Sequence, residues 1–193
     1  MENNNHRDKN KKISLIETTI SSSIAYSGNF LKVTLDEVLL PNKSLGTREY
    51  ILHPGASLTI PLLSDGRVVM IEQYRHAVKK VFLEFPAGKK DPGESFEKTA
   101  RRELSEETGY DCARLEFLTT IHPVIGYSDE EIQIYLAEDL TKNERNLDHD
   151  EFVNIVELTL PELARRVRAG EVSDVKTQIA FFWLEKRVKG DWI

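Results

Sequence analysis

A single cysteine, Cys112, stands in 193 residues, so one chain holds neither an internal disulfide nor a multi-cysteine zinc site. A reducing cytoplasm is the expected compartment. Long apolar runs are also missing. Nothing approaches the ~20 residues that a membrane span needs, and the opening stretch MENNNHRDKNKK is polar and basic, without the apolar segment of a secretion signal. Bases are outnumbered, 26 against 32 acids, and the net charge of −6 argues against nonspecific binding to nucleic acid or an anionic membrane. Hydrophobic residues still make up 40%, with 10 Gly and 7 Pro, which excludes collagen-like, low-complexity and wholly disordered chains. The length suits one core with at most a small annex.

Residues 1–12 read as a disordered tail in which His6 is solvated. Residues 13–56 read as an N-terminal antiparallel β region. In FLKVTLDEVL the residues Leu31, Val33 and Leu35 alternate with Lys32, Thr34 and Asp36, the period of a half-buried strand with its apolar side inward. So few strands cannot form an independent core, so they must pack on the main domain or on a second chain. Residues 57–193 read as that domain: strands LTIPLL, RVVMIEQY and VFLEFP, the loop GKKDPG, a helix over 96–108 capped by Ser95 and stopped by Gly109, then the strands ARLEFLTTI and EIQIYLAEDL around the loop HPVIGYSDE. Thr159-Leu160-Pro161-Glu162 is a capping box opening a helix, and Asp174 opens a last one. The order predicts an α/β fold with a mixed sheet sandwiched between helices.

The chemistry concentrates at residues 88–110. Glu103, Glu106 and Glu107 share one helical face. Like charges so spaced cost an isolated helix roughly 0.2–0.5 kcal/mol per pair, so the arrangement is unfavourable without a cation. Gly88, five residues, Glu94, seven residues, then Arg102-Glu103-Leu104-Ser105-Glu106-Glu107-Thr108-Gly109-Tyr110 resembles the Nudix box in every fixed position. Tyr110 alone departs slightly, being aromatic where an aliphatic residue is commoner. Hard divalent cations favour sets of oxygen ligands, which carboxylates on one rigid helix can supply.

That resemblance implies the Nudix fold and hydrolysis of a nucleoside diphosphate linked to another group. It assigns Glu103 and Glu107 as principal ligands of Mg2+, or of Mn2+ in its place, Glu106 as ligand or supporting partner, and the carbonyl of Ala87 as a further ligand. Arg102 is expected to orient the carboxylates, Gly88 to let the backbone bend, and Glu94 to pair with Arg102 or bind metal at the periphery. The flanks IEQYRHAV, LEFPAGK, HPVIGYSDE with Pro123, and EVSDVKTQIAFFWL resemble the ADP-ribose pyrophosphatase and nucleoside-diphosphate-sugar hydrolase branch, and the likeness covers about residues 45 to 185. ADP-ribose, split into AMP and ribose 5-phosphate, is the expected substrate, with GDP-mannose as its main rival. A non-catalytic ligand sensor is disfavoured because no box glutamate is missing, and a diphosphate isomerase because Cys112 is poorly placed.

Arg75 follows an apolar strand and is a candidate to grip a phosphate or the terminal ribose. Glu84 is expected near the phosphates and metals, Arg48 and Glu49 near the base, and Phe30 as a cover for the base supplied by the other subunit of a homodimer with swapped N-terminal strands. In the resembling branch a loop glutamate after the sheet acts as general base. Here the corresponding loop is Asn146-Leu147-Asp148-His149-Asp150-Glu151-Phe152. Glu151, with the longest reach, is the expected base, Asp150 and Asp148 are alternates, and His149 is a bystander.

Overall fold

The computed structural model describes residues 13–147, 149 and 151–190. The expected disordered tail, with His6, lies outside them, as do Asp148 and Asp150. By its internal contacts the chain divides into a first unit ending at Leu52, joined by Gly126–Ser128, and a second unit comprising His53–Ile125 and the chain from Asp129 onward.

The first unit is an antiparallel sheet of β1 (Thr18–Ser27), β2 (Lys32–Leu39) and β3 (Leu45–Leu52), in that order. Its β3 is extended by the visiting segment, as the Ile51 N–H donates to the Tyr127 carbonyl at 2.9 Å. The expected period of two holds along β2, but the buried row is inverted. Thr34, Asp36 and Val38 are buried, while Val33 and Leu35 are only half-buried. Register places Tyr50 opposite Thr34 and Arg48 opposite Asp36, so long side chains lie across the polar row. The Tyr50 hydroxyl donates to Asp36 at 3.3 Å. Alternation gave the faces correctly, but short polar side chains beside long neighbours are covered in ways that pattern alone does not register.

The second unit runs β4 (Ala56–Pro61), β5 (Arg67–Arg75), β6 (Lys80–Glu84), β7 (Ala87–Lys89), α1 (Phe96–Thr108), β8 (Tyr110–Ile121), β9 (Ile132–Lys142), β10 (Val153–Thr159), α2 (Leu160–Arg168) and α3 (Val175–Lys189). The expected mixed sheet resolves into two sheets. One has the order β7-β4-β9-β8, with β4 and β9 parallel; the other is antiparallel with the order β10-β5-β6.

Alternation along β4 explains the layering. Leu58 and Ile60 join Met70, Ile134, Leu163 and Leu184 in the main core, so one side of the strand is covered by α2 and α3. The intervening Ser57 and Thr59 face α1, donating to the carbonyls of Phe96 at 2.7 Å and Ala100 at 3.0 Å. Small polar residues thus seat the helix that carries the acids, and Leu104 anchors its underside against Val69 and Ala137. Full burial of each such leucine contributes roughly 1.5–3 kcal/mol. The caps read from sequence are in place. Ser95 accepts from the Lys98 N–H, and Gly109 ends α1 with φ 70°, a left-handed conformation that glycine adopts without a Cβ penalty.

Candidate active site

Glu103 and Glu107 leave α1 one turn apart and both meet β7. The Ala87 N–H donates to Glu107 Oε2 at 2.9 Å. Next along the strand, Gly88 leaves the space that Glu103 fills, since a Cβ there would stand 1.9 Å from Glu103 Oε1. The close approach of a carboxylate, rather than a bend alone, is therefore what requires glycine at position 88.

Both acids are buried. Burial pushes the Glu103 carboxyl up to about 7, with Glu106 and Glu151 adding repulsion against the opposing pull of Arg102. Burial also holds the Glu107 carboxyl well above the usual carboxylate range, and the charges of Glu103 and Glu151 push the same way. Glu151, from the loop before β10, is among the charges that raise both box acids.

Glu106 is turned differently. Arg102 Nη1 donates to Glu106 Oε2 at 2.9 Å and to Glu103 Oε1 at 2.7 Å. The same guanidinium donates to the Lys89 carbonyl at 2.9 Å and reaches both oxygens of Glu94, at 3.2 and 3.0 Å. Glu94 is thereby an ion-pair partner. Its hydrogen bond from Arg102 is the main reason its carboxyl is lowered to about 2, with Thr99 and the Asp91 N–H adding to the effect. One arginine thus ties the loop before α1 to two of the three box glutamates on the helix face.

Among the described residues no three acidic, histidine or cysteine side chains converge into a ready cation cage. The residues nevertheless suit a divalent ion. Glu103 and Glu107 are buried together with their proton affinities raised by desolvation and mutual repulsion, which a cation relieves.

A second cluster lies at the ends of β5 and β6. Arg75 donates through Nε and Nη2 to the two oxygens of Glu84, each at 2.8 Å. Glu84 is almost fully buried and is also bonded by the Lys176 ammonium, which pairs with Asp174 at 3.0 Å. Burial works against ionisation of Glu84, but Arg75 and Lys176 overcome it and hold its carboxyl below the usual range. The negative charge of Glu107 reaches Arg75, so the two clusters adjoin.

Sequence reading singled out Arg75 and Glu84 but missed Lys176. A signal was present, because a lysine in the first turn of a helix opposes the helix dipole and calls for a local partner. Arg48, Glu49 and Phe30 belong to the first unit, where Arg48 donates to Glu17 at 2.9 Å and Glu49 and Phe30 are exposed.

A helix-borne row of acids packed on a glycine-containing strand end, braced by one arginine, defines a hydrolase of the Nudix type. The match to the NUDIX domain over residues 52–176 and to the nucleoside diphosphate sugar hydrolase N-terminal domain over residues 17–51 agrees, and the chain belongs to the Nudix family. Members of this family work with divalent metal ions. The chain is 42% identical over 171 residues to a methanol dehydrogenase activator of Bacillus methanolicus, covering 88% of this chain and 92% of the relative. It is 38% identical over 174 residues to an ADP-ribose pyrophosphatase of Bacillus subtilis, covering 89% and 94%. An ADP compounds hydrolase of known structure superposes with a TM-score of 0.81 at 22% identity, covering 93% of this chain and 97% of that one, a likeness of fold.

Proposed function

We propose that the protein hydrolyses the diphosphate bond of a nucleoside diphosphate sugar, with ADP-ribose as the leading substrate and AMP and ribose 5-phosphate as products. Mg2+ is the working ion, Mn2+ can replace it, and the cytoplasm is the compartment. The observation that carries this reading is the pair Glu103 and Glu107, buried against Ala87 and Gly88 with Glu151 alongside and Arg75 adjoining. The ADP-ribose pyrophosphatase relatives support the choice of substrate.

In this reading Glu103, Glu107 and the Ala87 carbonyl hold the ion, with Glu106 as ligand or support. A divalent ion held there would supply Lewis-acid stabilisation of the diphosphate and would lower the pKa of a nearby water. Glu151 accepts that water's proton. The water oxygen bonds to phosphorus as the bridging P–O bond breaks, and the second phosphate leaves with the bridging oxygen. Arg102, held by Glu94, keeps Glu103 and Glu106 oriented, while Arg75 grips phosphate or the terminal ribose.

The test is a panel of ADP-ribose, GDP-mannose, UDP-glucose, a mutagenic triphosphate and a dinucleoside polyphosphate with Mg2+, scored by chromatography of the products. ADP-ribose should turn over fastest, and EDTA should abolish turnover until Mg2+ is restored. Fastest cleavage of GDP-mannose would move the assignment to that sugar nucleotide, and turnover in EDTA would remove the metal from the mechanism.

We further propose a homodimer in which the first unit's strands serve the partner's pocket, Arg48 and Glu49 meeting the base and Phe30 covering it. Ile20, Ile24 and Tyr26 leave β1 more than half exposed, and apolar side chains on so small a sheet favour association. Sedimentation at assay concentration should give a dimer; a fully active monomer would sink the shared site.

A further inference from the structure

Glu84 is an unusual place to put a charge. It is 1% exposed and has two cations, Arg75 and Lys176, although one would neutralise it. The two differ in freedom. Arg75 has 41% of its side chain exposed, whereas Lys176 has 15% and is tied on its other side to Asp174, which also caps α3 by accepting from the Thr177 N–H at 3.0 Å. The same turn is fastened to the strand end, since the Phe85 N–H donates to Thr177 Oγ1 at 3.2 Å. Both cations meet Glu84 through charge-assisted hydrogen bonds, but Lys176 is also held by Asp174 and is the more buried of the two, whereas Arg75 is the one with a substantial exposed share.

A doubled counter-charge has a physical consequence. An arginine that is the sole partner of a buried carboxylate cannot leave it without stranding that charge, which is strongly unfavourable. Lys176 removes the obstacle. With the ammonium remaining on Glu84 Oε2, the Arg75 guanidinium can turn from the carboxylate to an incoming phosphate oxygen, exchanging one charge-assisted fork for another.

We propose that Lys176 is a positioning residue that frees Arg75 for the substrate by keeping Glu84 neutralised after Arg75 departs. This rests on the reading that Arg75 grips the diphosphate or its ribose. It goes beyond that reading by assigning the residue that makes the grip reversible, and Lys176 itself stays off the substrate.

The test compares Lys176→Met, Lys176→Arg and Arg75→Ala, singly and with Lys176→Met and Arg75→Ala combined. The substrate is whichever nucleoside diphosphate sugar of the panel the wild-type protein turns over fastest. In Lys176→Met, Glu84 keeps Arg75 for itself, so KM should rise by about tenfold, the scale of coupling within one ion-pair network, while kcat falls by less than about threefold. Lys176→Arg should restore KM. In the Arg75→Ala background Lys176→Met should add nothing, because the residue it liberates is gone.

Additive effects in that background would mean that Lys176 meets the substrate directly and would overturn the proposal. An unchanged KM in Lys176→Met, with KM raised in Arg75→Ala, would overturn it while leaving the phosphate grip standing. An unchanged KM in Arg75→Ala would overturn the grip and the proposal together. Should Lys176→Met fold poorly, the pair Lys176→Met with Glu84→Gln leaves no stranded charge and no hold on Arg75. KM near wild type in that pair supports the exchange, and KM raised as far as in Arg75→Ala contradicts it.

Discussion

Glu107→Gln is expected to lower kcat by about 10³-fold or more, the scale seen when a principal charge-stabilising group is removed from an active site, with no loss of fold. The backbone contact explains why the fold survives. The glutamine carbonyl still accepts from the Ala87 N–H, so the seam between α1 and β7 keeps its hydrogen bond. What is lost is the negative charge that the proposed ion needs, at a point where burial makes each charge count for more than in water.

The same substitution should stabilise the metal-free protein at high pH. Glu103, at about 7, is raised above its ordinary value of 4.5, and burial holds Glu107 well above that value too. Groups raised in this way bind more protons in the folded than in the unfolded state. Their contribution is therefore complete below about pH 4.5 and is lost as pH climbs, through about 7 for Glu103 and through the raised range of Glu107. Removing Glu107 removes one such loss and eases Glu103. In EDTA the variant's Tm should exceed that of wild type above pH 7, by ~2–4 °C for each kcal/mol relieved, and the two should converge near pH 4. Thermal unfolding across pH and a kcat assay on one preparation check both halves. Near-wild-type turnover with unchanged circular dichroism would refute the metal role.

What the sequence revealed and what it withheld follow from range. Ser95, Gly109, Thr159 and Asp174 act on their own neighbours within a turn, so helix ends were legible residue by residue. The box spacing likewise encodes one helix and the loop before it, which is why the link from Glu94 to Arg102 and Glu103 could be anticipated. Contacts between distant segments were less legible. Glu84 and Lys176 are 92 residues apart and meet only because α3 returns to the end of β6. The inverted burial of β2 has the same origin, since whether Asp36 or Leu35 is covered depends on Tyr50 and Arg48 across the sheet. A helical face also states where carboxylates start but not where they end. The three box acids share one face, yet Glu103 and Glu106 are engaged by Arg102 while Glu107 meets the Ala87 N–H.

Glu151→Gln should lower kcat by about 10²–10⁴-fold with KM little changed, the range for loss of a positioned general base. The box acids are poor candidates for that task. Glu107 is engaged by the Ala87 N–H, Glu103 and Glu106 by Arg102, and in the proposed mechanism all three serve the ion. Glu151 is anchored differently, two residues before Val153, where β10 begins its pairing with Gln73 of β5. One end of its loop is therefore held by the sheet, and its charge already reaches Glu103 and Glu107. A cation held by Glu103 and Glu107 would offset that repulsion, and its Lewis acidity would ease loss of a water proton that Glu151 could then accept. The comparison set is Asp150→Asn and Asp148→Asn, measured at saturating Mg2+. A large kcat loss confined to Glu151→Gln assigns the base. Full kcat in that variant, with the loss in a neighbour, transfers the role to the neighbour, and full kcat in all three leaves water activation to the ion and the box glutamates.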